Sequence, residues 1–144
     1  MSDRMPTPSA INLFDLLSSF GDPADGAREL DIGRWINGRI ISVLGTPNDG
    51  SSSDMAYGVS LVPAGASTPS HSHRAEELAM ILDGSGEINI AGHIHSIRAG
   101  DILRTPPNLV HSTKASEEGP LAVLWVYAPA GSEKRWFAED PQES

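Results

Sequence analysis

From residue 39 onward the apolar residues come in short runs, and this punctuation is what most limits the fold. Arg39 to Leu44, Ala56 to Val62, Leu78 to Leu82, Glu87 to Ile90, His93 to Ile97, Ile102 to Arg104, Val110 to Thr113 and Leu121 to Tyr127 are each only a few residues long. Gly, Pro, Asn or Asp breaks most of the gaps between them. The first run, RIISVL, is apolar and β-branched, and TPNDGSSSD behind it is a turn cluster. Runs this short and this closely spaced predict strands of an antiparallel sandwich or barrel rather than an α/β sheet. The stretch Leu121 to Val126 is among the longest uninterrupted apolar segments, and it falls far short of a membrane span.

Ahead of the strands, Leu13, Leu16, Leu17 and Phe20 recur at helical spacing between Ala10 and Phe20, with Ser9 as N-cap and Gly21 as stop. This predicts one short amphipathic helix, serving as a lid on a barrel end or as a packing partner. Met1 to Pro8 reads as a loose arm, Gly21 to Gly26 as a turn-rich segment. The tail from Gly131 to Ser144 mixes Trp136 and Phe137 with acidic residues and is expected to pack through those aromatics. A chain of 144 residues is the size of one domain, divided here into arm and helix (1–27), barrel (28–130) and tail (131–144).

Composition removes several function classes. Without cysteine there is no disulfide framework, thiolate site or thiol nucleophile, so any metal is held by nitrogen and oxygen. A net charge of −9 disfavours nucleic acid, whose phosphates need a basic footprint. The opening MSDRMPTPSA lacks the basic and apolar regions of a secretory signal, so a cytoplasmic protein with no membrane attachment is expected.

The informative stretch is Gly65-ASTPS-His71-Ser-His73-RAE-Glu77-LAMILD-Gly84. Alternate residues on a strand share a face, so His71 and His73 can present both imidazoles to one point. Glu77 lies four residues beyond His73, near enough to return on a neighbouring strand with an anionic oxygen. In Gly100-DILRT-Pro106-PN-LV-His111, a third imidazole becomes available. Imidazole and carboxylate together suit one divalent transition ion: iron, manganese, nickel, cobalt or zinc.

These segments resemble the two sequence motifs of the cupin superfamily. The first motif runs Gly, five residues, His-x-His, three or four residues, Glu, six residues, Gly; Gly65, His71, His73, Glu77 and Gly84 match it. Gly100, Pro106 and His111 match the second, with Asn108 in place of a glycine and Ala115 in place of the terminal asparagine. Asn108 is a tolerable exchange because asparagine visits left-handed backbone conformations. The resemblance covers roughly residues 38 to 128. It implies a double-stranded β-helix, or jelly-roll β-barrel, with His71, His73, Glu77 and His111 as metal ligands. It also implies a homodimer, since small cupins commonly pair their sheets and open strand edges need covering.

Other candidates carry less weight. Met55, Tyr57, Val59 and Leu61 alternate with Ala56, Gly58, Ser60 and Val62, and the bulkier set is expected to face the barrel interior, bringing Tyr57 to the pocket as a proton donor. Arg104 could bind an anionic substrate if it faces inward. Strand parity with His73 favours Glu77 over Glu76 for the inward carboxylate, and the second His-x-His, His93 and His95, reads as a solvated strand face.

Small cupins with this ligand set include dioxygenases, oxalate-degrading enzymes, isomerases, lyases and polyketide cyclases, and fold does not choose among them. A metal-dependent enzyme for a small oxygen-bearing molecule is expected, an iron or manganese oxygenase first, then a non-redox lyase, isomerase or cyclase, then a non-catalytic ligand binder. The segments DGSSSDMAYG and HSHRAEE are also similar to small cupin dimethylsulfoniopropionate lyases, which carry a basic tyrosine two residues after the metal-binding glutamate; Ala79 stands there in this chain.

Overall fold

A computed structural model describes residues 10–23 and 33–137. Among them are nine strands: β1 (Arg34–Ile36), β2 (Arg39–Gly45), β3 (Ala56–Val62), β4 (Glu76–Asp83), β5 (Ser85–Ile90), β6 (His93–Arg98), β7 (Ile102–Thr105), β8 (His111–Ala115) and β9 (Leu121–Ala128). They form a six-stranded sheet in the order β1-β2-β3-β9-β4-β7 and a three-stranded sheet in the order β6-β5-β8, with every pair antiparallel. From β4 to β9 the chain passes repeatedly between the two sheets, the winding of a jelly-roll barrel. Each expected run is a strand; the short β1 is an addition that its three residues did not announce.

The inner face of the large sheet alternates large and small side chains across the ladder. One row is Ala56, Tyr127, Glu77 and Thr105; the next is Gly58, Trp125, Ala79 and Leu103. The Trp125 ring therefore lies between Gly58 and Ala79, and Tyr127 has Ala56 on one side and Glu77 on the other. The fit is close, since a Cβ on Gly58 would come within 2.5 Å of the Trp125 ring. This corrects the expectation for β3. The small set, Ala56, Gly58, Ser60 and Val62, faces the interior, because the bulk there comes from β9.

The bulkier set on β3 turns to the outer face, where Val59 and Leu61 join Ile40 and Ala122 beneath a helix, α1 (Leu13–Ser19). Leu16 and Phe20 are its buried contacts, with Leu13 and Leu17 at the margin. Asn12 is its N-cap, with the side chain accepting a hydrogen bond from the Asp15 N–H at 3.0 Å. The N-cap expected at Ser9 lies outside the described residues, as does the arm before it. The helix starts later than its apolar spacing implied because Asn12 intercepts the first turn. Gly21, at φ 69°, leads the chain out of it.

A 3₁₀ helix (Ser132–Phe137) closes the structure. Its Glu133 is 1% exposed and accepts hydrogen bonds from Thr46 Oγ1 at 2.7 Å and from the Gly131 N–H at 2.5 Å. These bonds offset the desolvation of the carboxylate and clamp the helix to the end of β2. Arg34 adds a bond to the Trp136 carbonyl at 2.6 Å, and the Trp136 ring is buried with Ile36, Ile41, Trp125 and Tyr127.

Burial under α1 sets the first prediction. Phe20→Ala should lower unfolding free energy by about 3 kcal/mol in urea titrations, whereas Phe14→Ala on the exposed side should change it by less than about 0.5 kcal/mol. Equal effects from the two would contradict the packing of the helix on the sheet.

Candidate metal centre

The segments that hold the histidines are far apart in sequence and joined by backbone hydrogen bonds. His71 and His111 face each other in an antiparallel bridge, the N–H of each donating to the other's carbonyl at 3.0 and 2.8 Å. Asn108, at φ 65°, donates its N–H to the His73 carbonyl at 2.8 Å, so the turn before β8 is fastened to the first segment as well. The left-handed conformation that glycine would take here is thus met by asparagine.

All three imidazoles are turned into the barrel, His71 8%, His73 7% and His111 4% exposed. In each ring Nδ1 lies 2.9 Å from a backbone carbonyl: Pro69 for His71, Ala75 for His73 and Leu109 for His111. A carbonyl only accepts, so Nδ1 carries the proton and donates. Nε2 is left with its lone pair toward the interior. This is the tautomer and orientation a metal ligand needs. The ligand nitrogens of His71, His73 and His111 lie within 4.8 Å of one another.

Glu77 on β4 points to the same place. Its Oε1 is 3.3 Å from His73 Nε2 and 3.9 Å from His111 Nε2, and its side chain is 12% exposed. His73 Nε2 and His111 Nε2 are buried and make no hydrogen bond. Buried lone pairs beside a carboxylate lack an electron-pair acceptor, and a divalent cation supplies one. The donor set therefore fits a metal ion, and it is a three-histidine site to which Glu77 is adjacent.

Beside these groups is a cavity of about 60 Å³. His71, Glu77 and His111 line it together with Thr68 and Thr113, and its other walls include Ile41, Trp125, Tyr127, Trp136 and Arg39. The Tyr127 ring stacks on Trp125 at 4.7 Å and lies 4.7 Å from the His73 ring. Burial, and then the charge of Glu77, push the Tyr127 hydroxyl well above the ordinary tyrosine range against the opposing pull of Arg135 and Arg39, so it keeps its proton.

Two sequence expectations are corrected here. Tyr57 is not on the cavity; it shares the outer face of β3 with Val59 and Leu61, and its ring covers Gly45 so closely that a Cβ has no room there. Tyr127 is the cavity's tyrosine. Arg104 is exposed on β7 and forms an ion pair at 2.5 Å with Glu76, which faces outward as parity required. The arginine that lines the cavity is Arg39, 4% exposed, which the sequence reading passed over. Its signal was parity with Ile41 in the otherwise apolar run RIISVL. Trp136, in the acidic tail, had no comparable signal. His93 and His95 are exposed on β6, outside the metal-binding group found among the described residues.

Fold and site define a jelly-roll barrel with an interior three-histidine centre able to hold a metal ion. Residues 58–127 match the cupin domain family. A solved RmlC-like cupin from Shewanella frigidimarina shares the fold with a TM-score of 0.62 at 20% identity, covering 74% of this chain and 89% of that one. The chain belongs to the cupin superfamily. A dimethylsulfoniopropionate lyase from Ruegeria pomeroyi is 36% identical over 80 residues, which make up 56% of this chain and 52% of the lyase. A 5-nitrosalicylic acid 1,2-dioxygenase from Bradyrhizobium is 26% identical over 136 residues, 87% of this chain and 66% of that enzyme. The chain thus spans between about half and two-thirds of these curated relatives. No helix among the described residues is long and apolar enough to cross a membrane.

Two predictions follow from the donor geometry. At about 100 times its Kd, added Mn(II) should raise the stability of the wild-type protein by about 2.7 kcal/mol, a gain read as a thermal shift and reversed by chelator. His111→Ala should abolish that shift and reduce bound metal in elemental analysis. An undiminished shift in the variant would remove His111 from the ligand set. Arg104→Ala, by contrast, should keep the metal content and cost less than about 1 kcal/mol, as befits an exposed ion pair.

Proposed function

We propose that the protein is a mononuclear metal-dependent enzyme of the oxygenase class, acting on a small oxygen-bearing organic molecule. The observation that carries this reading is the pair of buried, unpartnered Nε2 atoms of His73 and His111 beside Glu77, in a cluster whose His71, Glu77 and His111 line a cavity. His71, His73, His111 and Glu77 would hold the ion, for which iron or manganese is the first choice. Bound there, such an ion supplies polarisation of a substrate oxygen and activation of dioxygen.

Three neutral imidazoles leave the charge of a divalent ion intact and Glu77 cancels one unit, so the centre keeps a positive charge that favours oxygen donors. The rings of Trp125, Tyr127 and Trp136 exclude water from the remaining space and give an apolar surface for the body of a substrate. The protonated Tyr127 hydroxyl can donate a hydrogen bond to a negative oxygen. The similarity to a dioxygenase over 87% of the chain supports the redox class.

A second reading, a non-redox lyase, is favoured by the 36% identity to a dimethylsulfoniopropionate lyase. It needs a base other than the tyrosine of that family, since Ala79 occupies the position and fits against Trp125. Dioxygen electrode traces separate the two. Iron-loaded protein should consume dioxygen in step with loss of a turned-over substrate and stop under argon. Turnover that continues without dioxygen, or with zinc in place of iron, would replace the oxygenase reading by the lyase class.

A further inference from the structure

The cavity has an open side and a closed one. Apart from Glu77, its half-buried wall residues are Ser60, Thr68, Thr113 and Val123, and they mark where it meets solvent. Ser60 and Val123 are paired across β3 and β9, and Thr68 Oγ1 accepts the Thr113 N–H at 2.9 Å, so the opening is framed by both sheets. From there the inward rows of the large sheet succeed one another toward the histidines. Ser60–Val123 comes first, Gly58–Trp125–Ala79 second and Ala56–Tyr127–Glu77 third. On β8 the order is the same, Thr113 and then His111. Trp125 thus occupies the row between the opening and the carboxylate.

The indole has little room to yield. It is 4% exposed, the Tyr127 ring stacks on it at 4.7 Å, and a Cβ at Gly58 would lie 2.5 Å from its Cζ2. A ring packed this closely moves only with its neighbours. The space it leaves is about 60 Å³. A benzene ring fills a cavity of about 150 Å³.

We infer that Trp125 is the size filter of the site, so that the substrate is an acyclic molecule of few heavy atoms with oxygen donors, and a benzene ring is turned away. The reading of a metal enzyme supplies the chemistry and this inference rests on it for the oxygen donors; the filter itself belongs to the barrel wall and to no proposed ligand. Small molecules pass between the hydroxyls of Thr68 and Thr113 and the face of the indole. A larger body meets the ring before its oxygens reach the histidines, and forcing it into a packed interior is unfavourable.

Acetohydroxamate and benzohydroxamate test this, because they chelate through the same two oxygens and differ only in the body. In an open cavity the phenyl group would favour the second through its apolar area. Titrated into cobalt(II)-loaded protein and followed by visible absorption, acetohydroxamate should bind at least about tenfold more tightly than benzohydroxamate. Trp125→Ala should abolish or reverse that preference without changing cobalt content. Trp125→Phe, a smaller ring in the same place, should narrow it severalfold, and it carries the test if Trp125→Ala does not fold. In the metal-free protein, benzene should raise the melting temperature of Trp125→Ala and leave the wild type unmoved. Equal binding of the two hydroxamates, binding of neither to the cobalt form, a benzene shift in the wild type, or an unchanged preference in the folded variants would each overturn the filter. A protein that takes up no cobalt, while benzene enters only the opened variant, would leave the filter standing and remove the metal reading; cobalt uptake with equal binding of both hydroxamates would do the reverse.

Discussion

The site depends on the antiparallel bridge between His71 and His111. Its two hydrogen bonds join segments forty positions apart, and through them the two imidazoles are brought to a ring separation of 4.4 Å. Everything local to each histidine is then fixed by its own chain, since every Nδ1 is tied to a carbonyl two residues away. Ring orientation is thus a short-range property and convergence a long-range one. The second requires the barrel to have closed, because β8 pairs with β5 in the small sheet while Glu77 arrives on β4 in the large one. A pocket assembled from both sheets can exist only in the fully paired state.

Space in that pocket is governed by the cross-strand rows of the large sheet. Trp125 and Tyr127 project inward from β9 and are accommodated because Gly58, Ala56 and Ala79 stand beside them. The same rows account for the chemistry offered. Tyr127 is directly across from Glu77, which brings the phenol close to the carboxylate and the histidines. Ala79 is across from Trp125, so an aromatic side chain at 79 would compete with the indole for one volume. Absence of the lyase-type tyrosine is therefore built into the packing of this barrel and is more than a single-residue difference.

Much of this was legible in the residues. The run Ala56 to Val62 is the observed β3, and the parity argument put Glu77 inside and Glu76 outside. Parity says which residues travel together, however, and cannot say which set faces in when a sheet is buried on both sides. Helix α1 covers the outer face, so the bulk of Val59 and Leu61 was satisfied there, and Tyr57 went with them. Arg39 escaped notice for a related reason. An arginine opening a strand ordinarily sits in solvent, and what buries this one is Trp136, from the opposite end of the chain. Local pattern carried the strands and the histidines; the cavity's aromatic and cationic wall is a product of tertiary closure.

That closure also sorts the buried carboxylates. Glu133 and Glu77 are both withdrawn from water, but Glu133 accepts from a hydroxyl and a backbone N–H, whereas Glu77 faces imidazole nitrogens whose own protons are committed elsewhere. The first is satisfied by the chain and acts as a clasp for the segment that carries Trp136. The second, with the lone pairs around it, is satisfied only by a cation. Because the clasp holds the indole against the Arg39 guanidinium, the segment after β9 completes the wall of the cavity.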